Sequence, residues 1–422
     1  MIDDIRILKQ DHMFYINKTT CNLEMVSNYD HALMNEYYNK KYFSVWHQDI
    51  PRHTIDEIRF EFEKYEKTPG YEKNNIKRDK ASIVKLKDNA ALNDYPNMGL
   101  PAITVNRSNL RILPTNDRRF SRMSSSIPGS QFDRFQVSSI GVNVPIYISH
   151  MSRNKMWLLA ETDYFFGWIP AKDVGYMDEP AINAWQNDQY IAVIKDKIPV
   201  TDETGQIVFN ASIGAIFSKI SEEPDRFKIL TAVSGSDKRI RLKISFVSKE
   251  HAVLKPFKIT TFNIAGLANE LINEPYGWGG VDGNRDCSLM IRDLFAPFGI
   301  WLHRNSNEQG RQGGTFINLD NLSDEEKRRK ILSEGIPYAT LIWKKGHIML
   351  YIGNYGGEPV IFHNFWSARM KNPSGKSNRR IVGRAAITTL TPGNDMLSGN
   401  RLQHDQLKNI LGITLLIPKI NP

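Results

Sequence analysis

Cys287 stands after a turn-rich stretch, Pro275-Tyr276-Gly277-Trp278-Gly279-Gly280, and just before the apolar-periodic run Leu289-Met290-Ile291-Arg292-Asp293-Leu294-Phe295. This order predicts a helix with the thiol in its first turn, where unpaired backbone N–H groups and the helix dipole favour a thiolate, the species that attacks a carbonyl. Such a nucleophile needs a base, and the base needs a third group to fix its tautomer. Gly346-His347 opens an apolar strand and His363 lies near the end of the next, so adjacent antiparallel strands can bring the two rings together. These residue types in this order point to acyl transfer through a thiol. The bland alternative is a small core cysteine with two satisfied structural histidines.

The elements that must position these residues fall into four stretches. Residues 1–98 are polar and aromatic, with Ile55, Ile58 and Phe62 at helical spacing in Thr54-Ile55-Asp56-Glu57-Ile58-Arg59-Phe60-Glu61-Phe62-Glu63. Residues 99–180 carry short β-branched and aromatic runs such as Pro145-Ile146-Tyr147-Ile148-Ser149 and Phe166-Gly167-Trp168-Ile169. Residues 181–258 repeat that texture with Ile191-Ala192-Val193-Ile194 and Ile240-Arg241-Leu242-Lys243-Ile244, so two small β-barrels in tandem are expected. Residues 259–422 read as a mixed α and β domain: a helix through Phe262, Leu267 and Leu271, then strands at Ala339–Trp343, His347–Ile352, Val360–His363 and Arg384–Thr388. The fold class expected is α+β.

At 422 residues, 41% hydrophobic and 24% charged, the composition is that of an ordinary globular chain. A net charge of +9 favours an anionic partner, but the basic residues are spread out apart from runs such as Lys327-Arg328-Arg329-Lys330. Without zinc-finger spacing or a phosphate-binding glycine loop, no nucleic-acid partner is expected. Neither a transmembrane run nor a basic-then-apolar leader is found in the sequence. Two cysteines, Cys21 and Cys287, are too few for a disulfide framework or a four-cysteine zinc site.

Taken together, Pro275–Gly280, Asp286-Cys287-Ser288, and Gly346-His347 followed by Tyr351-Ile352-Gly353 resemble the NlpC-type, papain-like cysteine peptidases of bacterial cell walls. Phe298-Gly299-Ile300-Trp301-Leu302-His303-Arg304-Asn305-Ser306 with Gln309 is similar to the stretch after the catalytic helix in the subgroup with two bacterial Src-homology-3-like barrels. Tyr42-Phe43-Ser44-Val45-Trp46-His47 is similar to part of that subgroup's N-terminal helical clip.

The resemblance implies Cys287 as nucleophile, His347 as general base, His363 as third member, Tyr276 at the oxyanion, and Asp286 and Ser288 holding the free amino end of the peptide. Helix capping is the plain alternative for the last two. It also implies cleavage of murein stem peptides between γ-D-glutamate and diaminopimelate or lysine, no metal or organic cofactor, and a monomer. The place of work is then the periplasm or cell envelope, with cytoplasmic recycling as the alternative. Other readings are an amidase cutting between muramic acid and L-alanine, and a non-catalytic wall-binding protein. Leu289 and Met349 replace small residues of the family, which predicts a narrower cleft. Tyr355-Gly356-Gly357-Glu358-Pro359 reads as a long hairpin loop that absorbs the wide spacing from His347 to His363.

Overall fold

The computed structural model describes residues 2–122, 132–371, 377–390 and 407–418. Four helices open the chain: α1 (Asp3–Ile7), α2 (Asn28–Tyr42), α3 (Ile55–Lys67) and α4 (Lys80–Ala90). α3 begins at a capping box in which Thr54 and Glu57 satisfy each other's backbone N–H groups, and it buries Ile58, Phe62 and Tyr65 along one face. Those side chains pack on Leu113, Phe135, Leu159 and Trp168 of the first barrel. α2 places Tyr38 and Tyr42 in another cluster with Trp46, Tyr147, Trp185, Tyr190 and Trp301, joining the clip, both barrels and the last domain.

The first barrel is built from β1 (Leu100–Thr104), β2 (Ser108–Arg111), β3 (Gln136–Ile140), β4 (Pro145–Met151), β5 (Trp157–Glu161), β6 (Phe166–Pro170) and β7 (Val174–Tyr176). After α5 (Glu179–Trp185), the second contains β8 (Tyr190–Val193), β9 (Ile198–Thr201), β10 (Ile207–Ala211), β11 (Ile216–Glu222), β12 (Arg226–Ser234), β13 (Ile240–Ser248) and β14 (Ala252–Lys255). The spatial orders are β3-β2-β6-β5-β4-β1-β7 and β10-β9-β13-β12-β11-β8-β14, the same topology used twice. Period-two burial, as in β3, where Gln136, Ser138 and Ile140 are buried, is the alternation that one-sided sheets require.

The last domain carries α6 (Thr261–Glu270), α7 (Cys287–Phe295), α8 (Ser306–Gln312), β15 (Thr315–Asn318), α9 (Asp324–Glu334), β16 (Thr340–Lys344), β17 (His347–Tyr355), β18 (Glu358–Lys371), β19 (Ser377–Thr389) and β20 (Ile410–Leu415). Its antiparallel sheet runs β15-β20-β16-β17-β18-β19. Ile264 and Leu267 of α6 and Met290, Ile291, Leu294 and Phe295 of α7 bury against Ile348, Leu350 and Phe362. Each such side chain contributes about 1.5–3 kcal/mol, so the sheet fixes the pose of α7.

The hairpin between β17 and β18 corrects the long-loop expectation. Tyr355 pairs with Glu358, leaving Gly356 and Gly357 as a two-residue turn with φ of 60° and 81°. A turn with two positive φ values matches the strand twist and favours glycine. The extra residues lengthen the strands instead, with a register shift between Tyr351 and Gly353. Among the described residues no helix is long and apolar enough to cross a membrane.

Candidate active site

Asp286 caps α7, its Oδ1 accepting from the Leu289 N–H at 2.9 Å. The same carboxylate accepts from Gly279 N at 3.0 Å, from the Ser288 hydroxyl at 3.1 Å, and from Arg304 through Nη1 at 3.0 Å and Nη2 at 2.7 Å. Burial pushes the Asp286 carboxyl up, but Arg304 and these donors outweigh it and hold the group below its usual value. Arg304 also donates to Ser288 Oγ at 3.0 Å and, across the domain boundary, to Ser138 Oγ at 2.8 Å. Asp286 therefore does cap the helix, while Ser288 donates to its carboxylate, and both stand at the cleft floor in one network with the first barrel. Gly280, with φ of 78°, lies so close to Ser139 that a Cβ there would meet its hydroxyl, so glycine permits this contact.

Among the groups that act on the Cys287 thiol, the backbone N–H of Ile348, the residue after His347, favours its ionised form. His347 Nε2 lies 2.8 Å from His363 Nδ1, and His363 Nε2 lies 3.0 Å from Thr388 Oγ1. The register Leu350↔Phe362 puts the two histidines on one face in diagonal positions, and Phe365 stacks on His363 at 4.0 Å. Burial and the Lys344 charge push His347 well below its usual pKa; burial, His347 and Lys344 do the same to His363. Burial first, then the Asp286 charge, push the Cys287 thiol up to about 12, against the Ile348 N–H and Arg304. Burial thus opposes the preference for a thiolate that the helix start gives. The helix start supplies donors, but desolvation of a buried thiol is the larger effect and works against the thiolate.

Cys287, Asp286, Ser288 and Tyr276 line a cleft of roughly 440 Å³, whose opposite wall comes from the first barrel through Gln136, Val137 and Phe165 to Gly167, and from α3 through Ile58 and Glu61. Burial pushes the Tyr276 phenol up, with the Cys287 and Asp286 charges adding to it, and both Tyr276 and Cys287 line the cleft. Its ring meets Phe132 and Trp366 at 5.9 and 6.1 Å. Leu289 and Met349 do not line this cleft: Leu289 abuts Gly280, and Met349 is buried with Ile342, Tyr351 and Ile361 in another cluster. The predicted narrowing at those positions is corrected accordingly.

α7 is pinned to both barrels. Arg285, buried, pairs with Asp196 of the second barrel at 2.8 Å, with Glu274 at 2.7 Å and with Asp293 of α7 at 2.7 Å. Arg292 pairs with Asp163 of the first barrel at 2.8 Å, and Trp301 Nε1 donates to the same carboxylate at 2.6 Å. Sequence reading singled out neither these pairs nor Arg304 and Thr388 for a role. Arg304 lies inside the stretch His303-Arg304-Asn305-Ser306 that carried part of the resemblance, which was the available signal. Among the described residues no group of three or more His, Cys, Asp or Glu side chains could hold a metal. Cys21 is buried and unpaired, its thiol directed at the Lys18 carbonyl at 3.6 Å.

Four family profiles match the chain: the N-terminal NLPC_P60 stabilising domain over residues 1–95, an SH3 domain of SH3b1 type over 118–170, an SH3 domain of SH3b2 type over 178–224, and the NlpC/P60 family over 273–371. The structure is similar to that of an NlpC/P60 endopeptidase from Photobacterium damselae subsp. piscicida, with a TM-score of 0.86 and 26% identity over 97% of each chain. It shares a fold with an NlpC/P60 family protein from Bacillus cereus, with a TM-score of 0.52 and 14% identity over 75% of this chain and 100% of that one. No curated protein is significantly similar to it in sequence.

Proposed function

This chain belongs to the NlpC/P60 family of cell-wall cysteine peptidases, with an N-terminal stabilising domain and two SH3-type barrels, and we propose that it cleaves murein stem peptides between γ-D-glutamate and the diamino acid. The observation that carries this reading is a thiol at the start of α7 that opens on a cleft walled by the first barrel, in a domain whose β17 and β18 carry a hydrogen-bonded histidine pair. His347 takes the thiol proton as Cys287 attacks the γ-glutamyl carbonyl. Tyr276 and the backbone N–H groups at the start of α7 stabilise the oxyanion. The diamino acid leaves with the proton from His347, and water then releases the acyl group.

The first barrel and α3 wall the cleft, which favours peptides with a free L-alanine amine over peptides extended by glycan. Asp286 and Ser288 at the floor and the Glu61 carboxylate in the opposite wall supply acceptors for that ammonium. Work in the cell envelope, the setting of the family, is part of this proposal, and a monomer suffices because every named group lies in one chain.

The test is mass spectrometry of L-Ala-γ-D-Glu-diaminopimelate, free and attached to muramic acid, after incubation with the protein. Release of L-Ala-γ-D-Glu from the free peptide alone supports the reading. Cleavage of the attached peptide at the same bond removes the free-amine preference. A cut between muramic acid and L-alanine makes the protein an amidase, and no cleavage of either contradicts the substrate assignment.

A further inference from the structure

Thr388 stands at the far end of the histidine pair, where its single hydroxyl proton decides the protons of both rings. Oγ1 lies 3.0 Å from His363 Nε2 and donates to the Thr389 carbonyl at 2.9 Å. A threonine hydroxyl donates once, so with its proton on that carbonyl Oγ1 meets His363 only as an acceptor, and His363 Nε2 carries the hydrogen. Burial, His347 and Lys344 keep the His363 ring neutral, with one N–H. His363 Nδ1 is then an acceptor, and across 2.8 Å His347 Nε2 must donate to it. The remaining nitrogen, His347 Nδ1, is left unprotonated and free to take a proton. The reverse order would protonate His347 Nδ1 and disable the base.

The strand around Thr388 is held from a distant part of the chain. Gln10 accepts from Ile387 N and donates to Ile387 O, both at 2.9 Å, and Asp4 Oδ2 accepts from the Thr389 N–H and hydroxyl at 2.7 Å each. Both neighbours of Thr388 are thus clamped by the N-terminal segment, and Phe365, stacked on His363 within 10° of parallel, restrains the ring. The charged group that acts on both rings is Lys344 of β16, which in turn feels Cys287 of α7, and Asp4 of α1 reaches the strand through Thr389.

We propose that Thr388 is a positioning residue that fixes the tautomers of His363 and His347, so that His347 Nδ1 is the basic nitrogen offered to Cys287. The proposal rests on the peptidase reading for its consequence but not for its direct readout. In protein labelled with ¹⁵N-histidine, the wild-type spectrum is expected to show His363 and His347 both as Nε2–H tautomers; an Nδ1–H tautomer at either ring overturns the proposal.

Thr388→Val, which keeps shape and removes the acceptor, is expected to lower kcat about 10- to 100-fold, part of the roughly 10²–10⁴ that a positioned base supplies, with KM little changed. It is also expected to slow alkylation of Cys287 by iodoacetamide across the pH range. Thr388→Ser, which retains the hydroxyl, is expected to restore both. Equal rates in wild type and Thr388→Val, with Cys287→Ala inactive, overturn the positioning role alone. Activity retained in Cys287→Ala overturns the peptidase reading, while the ¹⁵N spectrum and the alkylation rates still decide the tautomers.

Discussion

The two barrels have one strand order but opposite relations to the active site. The first supplies a wall of the cleft, the Ser138 hydroxyl that holds Arg304, and the Asp163 carboxylate that holds Arg292. The second contributes none of the cleft's described lining residues; it meets α7 through Asp196, linked by Arg285 to Asp293, and through Gly214, packed against the Asp293 backbone. A duplicated module has thus been put to two uses. Both copies hold the segment that carries the thiol, and among the described residues the first alone lines the cleft.

The largest expected effect separates these uses through the second barrel. Arg285→Met leaves Asp196, Glu274 and Asp293 without their shared cation, and breaking a buried pair in this way costs about 3–5 kcal/mol. Denaturant unfolding should register that loss, with KM of the surviving folded fraction unchanged. A variant as stable as wild type would remove the clamp from the account.

On the first barrel, Ser138→Ala takes from Arg304 Nε a buried acceptor, worth about 1.5–3 kcal/mol for a charged donor. Because Arg304 frames Asp286 and Ser288, steady-state kinetics should show KM rising as well. A stability loss with KM intact would make the two barrels equivalent. Phe165→Ala opens the cleft wall and should raise cleavage of muramic-acid-linked peptide relative to free peptide about tenfold, a difference of about 1.4 kcal/mol. An unchanged ratio would mean that the first barrel does not select by size.

The smallest effect is expected in pH dependence. His347 has its pKa depressed below 6.5, so it stays neutral until the solution is more acidic than that, and the acid limb of kcat/KM should lie below pH 6.5. For stability, the unfolded chain binds protons first as pH falls through 6.5, while His12 holds out to about 3 and His347 and His363 are likewise depressed. The contribution of these neutral rings is whole above 6.5 and is lost progressively below it. Melting temperatures should fall from pH 7 to pH 5; a flat profile contradicts burial as the cause.

The parts of this arrangement legible in the sequence are local. The start of α7 at Asp286-Cys287 is written in the turn before it and the apolar period after it, and the strand at His347 in its apolar run. The pairs Arg285 with Asp196, Arg292 with Asp163 and Arg304 with Ser138 were not legible, because each depends on how separately folded modules dock. Nor was the effect of burial on Cys287: helix position favours the thiolate, whereas burial, a property of the assembled fold, opposes it more strongly. The Gly356-Gly357 turn was misread because two glycines suit a loose loop and a tight turn equally until the strand register is known.

The most direct measurement is rapid-quench mass spectrometry of the protein mixed with L-Ala-γ-D-Glu-diaminopimelate, with peptide mapping of any acyl adduct. The account predicts an L-Ala-γ-D-Glu thioester on Cys287 that disappears as the dipeptide is released. An acyl group mapped to any other residue, or hydrolysis by Cys287→Ala at the wild-type rate, would contradict it.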